Sequence, residues 1–133
     1  MRPERAIKFS YKIYRGIPCP IINLTVCGIE MEAYADSGAF SSIFSLQEAD
    51  LLGIDYSKGK AGSAVTGDGN IIPVYSHILP VHFGPLAFNA TIGFSPKLGI
   101  GINLLGRKDF FERFTVVFDD AKKTVTFIPR RYK

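Results

Sequence analysis

An all-β domain with one or two short helices is what this 133-residue sequence predicts, and three observations carry the prediction. Apolar and polar residues alternate with period two over much of the chain, as in strands with one buried face. Aromatic residues are abundant, with 11 Phe and 6 Tyr in a composition that is 47% hydrophobic and 21% charged, which suits a packed β-rich protein and not a disordered one. The pair Asp68-Gly69 lies between two strand-like runs, a strong local hairpin signal. The length fits one domain, residues 1–133, able to bury a core without disulfides or metals.

Taken in order, Ile7, Phe9, Tyr11 and Ile13 alternate with Lys8, Ser10 and Lys12, which predicts a strand over 7–14 with one buried face. The stretch 16–20, with Gly16, Pro18 and Pro20, breaks the chain. Ile22, Leu24 and Val26 alternate with Asn23 and Thr25 up to a tight turn at Gly28, and a return run over 29–35 completes a hairpin that delivers Asp36 at its end. Ser45 and Glu48 have the spacing of a capping box, in which each side chain satisfies the other residue's backbone amide, so a short helix follows and finishes at Gly53. Strands are predicted over 61–66 and 71–83, joined by a turn at 67–70, with Pro80 at an edge or a bulge. A further strand over 86–94 precedes a loop carrying Pro96, Gly99 and Gly101, then a short apolar strand ends at Gly106. Residues 107–114 predict a short helix from Phe110, Phe111 and Phe114 at spacings of three and four, and 116–118 and 124–128 form a last hairpin around a turn at 119–122.

Composition narrows the function. The net charge is +4, with basic residues gathered at the ends, from Arg2 to Lys12 and at Arg130, Arg131 and Lys133. No recognition motif accompanies that charge, so it reads as solvated surface and no nucleic-acid partner is expected. Cys19 and Cys27 match neither a zinc site nor a disulfide framework and read as buried or half-buried free thiols in a reducing compartment. No signal peptide or membrane-spanning run is present in the sequence, so a cytoplasmic protein without a membrane partner is expected. His77 and His82, five apart in one strand, fall on opposite faces and share no metal, and the stretch 68–70 lacks the terminal acidic ligand of a calcium loop. The strand-turn-helix Gly-x-Ser-x-Gly of serine hydrolases and the phosphate-binding glycine patterns are missing, and Asp119-Asp120 reads as a hairpin turn. Neither a metal nor an organic cofactor is implied.

The chemistry gathers at Asp36-Ser37-Gly38, followed by Ala39. Peptide hydrolysis without a covalent intermediate needs a base to deprotonate a water and an acid to protonate the carbonyl or the leaving amine. Two carboxylates a hydrogen bond apart supply both, because like charges so close cannot both ionise and the pair holds one proton, behaviour long established for aspartic proteases as a class. In such a scheme Asp36 supplies a carboxylate, the Ser37 hydroxyl can lock the loop, and Gly38 lets backbone approach the carboxylates. The triplet by itself is also ordinary turn chemistry. Its surroundings decide: a hairpin before it, the mostly small, hydroxylated or apolar run 40–45 after it, a short helix, an Asp-Gly hairpin, and Leu104-Leu105-Gly106-Arg107 near the other end.

In that order these features resemble the retropepsin family, the retroviral-type aspartic peptidases and their microbial relatives, over roughly residues 20–129. The resemblance implies a closed antiparallel β-barrel and a homodimer with one Asp36 from each chain at the two-fold axis. It implies catalytic roles for Asp36, Ser37 and Gly38, a substrate-covering flap at Thr66, Gly67, Asp68 and Gly69, and structural support from Ala39, Leu104, Leu105, Gly106 and Arg107. The activity implied is that of an aspartic endopeptidase on a peptide or protein substrate. A retropepsin-like module that binds peptides or partners without cutting is the alternative, because folds are reused. Two departures stand out: Ser37 occupies a place where the family commonly has Thr, and Phe40 stands where viral members often carry an acid that pairs with the arginine matching Arg107.

Overall fold

The computed structural model describes residues 6–98 and 101–130; Gly99 of the predicted loop and the basic residues Arg2, Arg5, Arg131 and Lys133 lie outside these. The first predicted strand divides in two. β1 (Ile7–Ser10) pairs with the last strand, while β2 (Lys12–Tyr14) turns away to pair with β3 (Ile17–Cys19). The expected break is therefore itself a strand, reached through a tight turn in which Arg15 and Gly16 both take positive φ. Leaving the sheet after Tyr11 takes Ile13 off the buried face that alternation assigns to it, and it is 69% exposed.

β4 (Ile21–Val26) and β5 (Ile29–Ala35) form the predicted hairpin, closed by Cys27 and Gly28 at φ 51° and 81°, the left-handed pair that two-residue hairpin turns require. Then come β6 (Ser42–Ser45), α1 (Leu46–Leu52) ending at Gly53, a 3-10 turn at Tyr56–Lys58, β7 (Lys60–Val65) and β8 (Ile71–Phe83). β9 (Leu86–Ser95), β10 (Leu104–Leu105), a 3-10 turn at Phe111–Arg113, β11 (Phe114–Asp119) and β12 (Thr124–Pro129) complete the order.

Two local expectations are corrected. Ser45 stands at the N-cap of α1, yet its side chain makes no cap bond. It is still paired in β6 with Ser95, in extended conformation, and its amide donates across the chain to Asn103 Oδ1 at 3.0 Å. The predicted helix over 107–114 is a turn followed by the single 3-10 turn. Asp109 takes φ 66° and turns its carboxylate to the Thr91 amide at 2.8 Å, and the amides of Phe111 and Glu112 reach back five residues to Gly106 and Arg107. The phenylalanine spacing reports burial and not helix: Phe110, Phe111 and Phe114 are all buried.

The large sheet runs β4-β5-β10-β6-β9-β8-β7, and the far end of β8 also pairs with β4 through Thr25 with His82 and Val26 with Val81, so the order returns on itself. The pairings β5–β10 and β6–β9 are parallel and the other pairings of this sheet antiparallel, in line with the mostly antiparallel domain expected; β10 enters between β5 and β6 from a distant part of the chain, as a parallel neighbour must. A second sheet, β1-β12-β11, packs its phenylalanines on the first. Phe83, at the end of β8, is fully buried and meets Phe127 edge-on at 4.9 Å, with Phe9, Phe110 and Phe114 around it. The 13-residue β8 spans roughly 40 Å, anchored at this end and reaching the 66–70 turn at the other. Among the described residues no helix is long and apolar enough to cross a membrane.

Candidate active site

Asp36 leaves the sheet where β5 ends. Its amide donates to Leu105 O at 3.0 Å on the parallel neighbour β10, and the preceding Ala35 amide donates to Pro20 O, so its backbone is held from both sides. The Ala39 amide returns to Asp36 O at 3.1 Å, closing a turn, and the Gly38 amide donates to Asp36 Oδ1 at 2.9 Å. A Cβ on residue 38 would stand 3.2 Å from that carboxylate oxygen, tighter than most real contacts. Asp36 is half-buried and Ser37 is exposed, its hydroxyl making no hydrogen bond with any described residue. Two residues earlier, Tyr34 has its phenol pushed up, first by burial and then by the adjacent Cys19.

Beneath this loop lies the glycine of the second motif. A Cβ on Gly106 would fall 2.4 Å from Ser41 O and 2.8 Å from Ala39 O, inside the reach of backbone that cannot swing aside. The Arg107 and Lys108 amides donate to Ala39 O at 2.9 Å and Phe40 O at 2.8 Å, and the Gly106 amide to Ser42 Oγ at 2.9 Å. Leu105 is fully buried beside Ala35, and Leu104 pairs with Tyr34 and Ile43. The Arg107 guanidinium sits 5.9 Å from the centre of the Phe40 ring, a cation-π contact where viral members often have an ion pair.

Two supporting residues escape sequence reasoning. Ser42, with no exposed surface, is the acceptor for the Gly106 amide. Asn103, buried, ties three segments together: Oδ1 accepts from the Ser45 amide, Nδ2 donates to Glu32 O at 2.9 Å, and its carbonyl accepts from Tyr34 N at 2.8 Å. The one available signal for Asn103 is a lone amide inside the apolar run 102–105.

Across from Asp36, β7 and β8 close on a tip over 66–70. The Thr66 amide donates to Asn70 O at 2.8 Å and the Gly69 amide to Thr66 O at 2.9 Å, with Gly69 at φ 88°, where a side chain would be strained. The Asp68 carboxylate organises the tip by accepting from the Thr66 hydroxyl, the Asn70 amide at 3.1 Å and Asn70 Nδ2 at 2.9 Å. These bonds, the Thr66 hydroxyl foremost, hold its carboxyl below the usual range. Between tip and loop lies a cleft of about 1120 Å³, reaching from Asp36, Gly38 and Phe40 to Thr66, Gly67 and Asp68 over a floor of Ile43, Ile72 and Leu104. Of the predicted site residues, Ser37 and Gly69 adjoin this cleft without lining it, and Leu105, Gly106 and Arg107 lie behind it. A second cavity of about 710 Å³, near Lys12, Glu32 and Gln47, shares no lining residue with it.

The remaining candidates fall elsewhere. His77 Nε2 lies 3.0 Å from Tyr56 O and its ring packs on Phe94, whereas His82 is exposed. Among the described residues no three His, Cys, Asp or Glu side chains gather so as to hold a metal ion. Asp119 caps its own turn, accepting from the Lys122 amide at 3.0 Å. Both cysteines are free; Cys19 is buried, but Cys27, at the tip of its hairpin, is exposed, against the expectation of burial.

The sequence profile of the family described as Aspartyl protease matches residues 22–108, from β4 through the Asp36 loop and hairpin to just past Gly106. Among solved structures, a retropepsin-like aspartic protease from Rickettsia conorii superposes with a TM-score of 0.74 at 23% identity, covering 93% of this chain and 99% of that one. EIAV protease in complex with an inhibitor gives 0.55 at 16% identity over 72% of this chain and 88% of that one. The retroviral protease-like domain of Ddi1 from Leishmania major gives 0.59 at 17% identity over 85% and 94%. At these identities the likeness is one of fold. None of the curated protein sequences matches this chain.

Proposed function

Since this chain belongs to the retropepsin-like aspartyl protease family, we propose that it is an aspartic endopeptidase that works as a homodimer, hydrolysing peptide bonds through a water held between two Asp36 carboxylates, one from each chain. The observation that carries this reading is the cleft itself: one wall presents Asp36, braced by Gly38 and backed by Gly106, and the facing wall is the tip of the β7–β8 hairpin. A single chain offers one Asp-Ser-Gly triplet, half of what the chemistry needs. Phe40, Val65 and Ile71 are 65%, 71% and 72% exposed around the cleft, apolar surface that a second copy or a bound peptide would cover.

In this reading the strand circuit from β4 round to β8 and back is a closed barrel, the rigid frame on which the two loops meet. One carboxylate, ionised, takes a proton from the water as it attacks the scissile carbonyl while the other, protonated, donates to the carbonyl oxygen; as the C–N bond then breaks, the proton taken from water passes to the leaving amine and a gem-diol hydroxyl returns its proton to the second carboxylate, restoring the singly protonated pair. The amides around Asp36 keep the dyad in place, and the flap residues Thr66, Gly67, Asp68 and Gly69 fold over an extended peptide whose backbone pairs with the protein. The reaction so read draws on no metal or organic cofactor, and the two free thiols suit a reducing, cytoplasmic setting.

Cleavage of a diverse peptide mixture across pH ~4 to 7, the window of a dyad's titration, tests the reading by mass spectrometry. Cuts made by the wild type and absent from Asp36→Asn are expected, together with a dimer in sedimentation. A folded, strictly monomeric protein that cuts nothing would overturn the reading and favour the silent peptide-binding module.

A further inference from the structure

Three charged side chains line the described part of the cleft: Asp36, Asp68 and Lys97. The first belongs to the proposed chemistry. The carboxylate of the second is already engaged, accepting from Thr66 and twice from Asn70 within its own turn. Lys97 alone is uncommitted. It is exposed to solvent, and its ammonium forms no ion pair with any described carboxylate.

Its backbone, by contrast, is anchored. The Lys97 amide donates to Ser95 Oγ at 3.1 Å, and Ser95 is buried at the end of β9 where that strand pairs with β6. The next residue, Leu98, packs on the small apolar cluster of Ile43, Ile72 and Val74 that underlies the hairpin. A cationic side chain thus branches from an anchored point on the cleft wall, next to an apolar floor and with no ion pair to a described carboxylate.

We propose that Lys97 is a specificity-determining residue, selecting peptides that carry a glutamate or aspartate close to an apolar residue lodged over Ile43, Ile72 and Leu98. The proposal rests on the peptide-cleaving reading above and deepens it. A complementary charge at a cleft rim discriminates between partners and speeds encounter more than it adds affinity. Because a homodimer places one Lys97 on each side of the two-fold axis, the acidic preference occurs at two positions, one on either side of the scissile bond.

The test uses peptide pairs that differ only by Glu against Gln, with the Glu moved stepwise along both sides of the cut. Wild type, Lys97→Met and Lys97→Glu are compared, with Lys122→Met, in the turn that Asp119 caps and not among the residues lining the cleft, as control. The wild type and Lys122→Met should favour Glu about two- to fivefold in kcat/KM, the range of an exposed ion pair, and the preference should shrink as salt screens it. Lys97→Met should lose the preference, and Lys97→Glu should reverse it in favour of Gln. Cleavage indifferent to Glu, or a preference that survives in Lys97→Met, overturns the assignment. Binding of the same peptides to Asp36→Asn, followed by fluorescence anisotropy, separates the two readings. A Lys97-dependent Glu preference in binding without wild-type cleavage upholds the role of Lys97 and overturns the peptidase, whereas neither binding nor cleavage overturns both.

Discussion

Gly106→Ala asks whether the second motif is there for space. A methyl group at this position would stand 2.4 Å from Ser41 O, 2.6 Å from Ser41 C and 2.8 Å from Ala39 O. Ordinary contact begins near 3.4 Å, so about 1 Å must be found, and the obstacles are backbone atoms of the Asp36 loop. Overpacking of this kind costs about 1–3 kcal/mol. Displacing the loop also weakens the bonds from Arg107 N to Ala39 O and from Gly106 N to Ser42 Oγ, each about 1 kcal/mol. A total of about 2–4 kcal/mol corresponds to a fall in Tm of roughly 7–14 °C for a domain of this size. The control is Gly62→Ala. That glycine also lacks a left-handed φ, but its nearest neighbour would be Val74 O at 3.9 Å, and its strand is exposed, so Tm should stay within about 2 °C of the wild type or rise slightly. Melts followed by circular dichroism at matched protein concentration make the comparison. If peptide cleavage is present, an Asp36 shifted by about 1 Å should also lose about 100-fold in kcat. Gly106→Ala melting with Gly62→Ala and the wild type would refute the steric reasoning.

Ser42→Ala removes the acceptor of the Gly106 amide at a site with no exposed surface and should cost about 1–3 kcal/mol, read as a lower urea midpoint with an unchanged m-value. The Asp68 carboxyl is held below its ordinary value by hydrogen bonds, so its contribution to the hairpin tip is fully present above the unfolded value of ~3.9 and is lost as pH falls through the lower folded value. Amide exchange at Gly69 and Asn70 should therefore stay protected relative to Asp68→Ala through pH ~4 and converge with it only in stronger acid; equal exchange at every pH would show that the carboxylate does not order the tip. Ser37→Ala deletes a hydroxyl that bonds to no described residue, so unfolding of the dilute chain should move by less than about 0.5 kcal/mol.

What the sequence made legible were the features set by local rules. Period two located β4, β5, β8 and β9, the Asp68-Gly69 pair located the hairpin tip, and the helix end at Gly53 followed from the left-handed conformation that glycine can take at a helix terminus. Three readings failed where a distant partner overrode a local rule. Alternation continues through Tyr11, but the chain leaves one sheet for another there, since β1 has β12 as neighbour and β2 has β3. The capping box at Ser45 yields to Asn103, 58 residues away, and the phenylalanine spacing over 110–114 answers to a cluster built from β1, β8 and β12. In the site, Asp36, Gly38 and Gly106 were legible because they belong to motifs. Ser42 and Asn103 were not, because a buried hydroxyl or amide is distinguishable from a surface one only once its partner is known.

The fold grades its own firmness along β8. At Phe83 the strand is locked by Phe127, Phe114 and Phe110 in a buried cluster; midway, Val74 and Ile72 rest on a small cluster of Ile43 with Ala64 and Leu98 partly buried against it; at Ile71 the side chain is 72% exposed and the strand is paired only with β7. Segments with few buried contacts open at the low end of a protein's local stabilities. The Asp36 loop shows the opposite character, with Leu105, Gly106, Arg107 and Lys108 all donating to it or accepting from it. On the proposed reading, a peptide entering the cleft would displace the hairpin tip more readily than the Asp36 loop. Ile43 stands in the floor between the two, paired to Leu104 and packed on Ile72 under the hairpin, so it is the residue that joins the firmly held wall to the lightly held one.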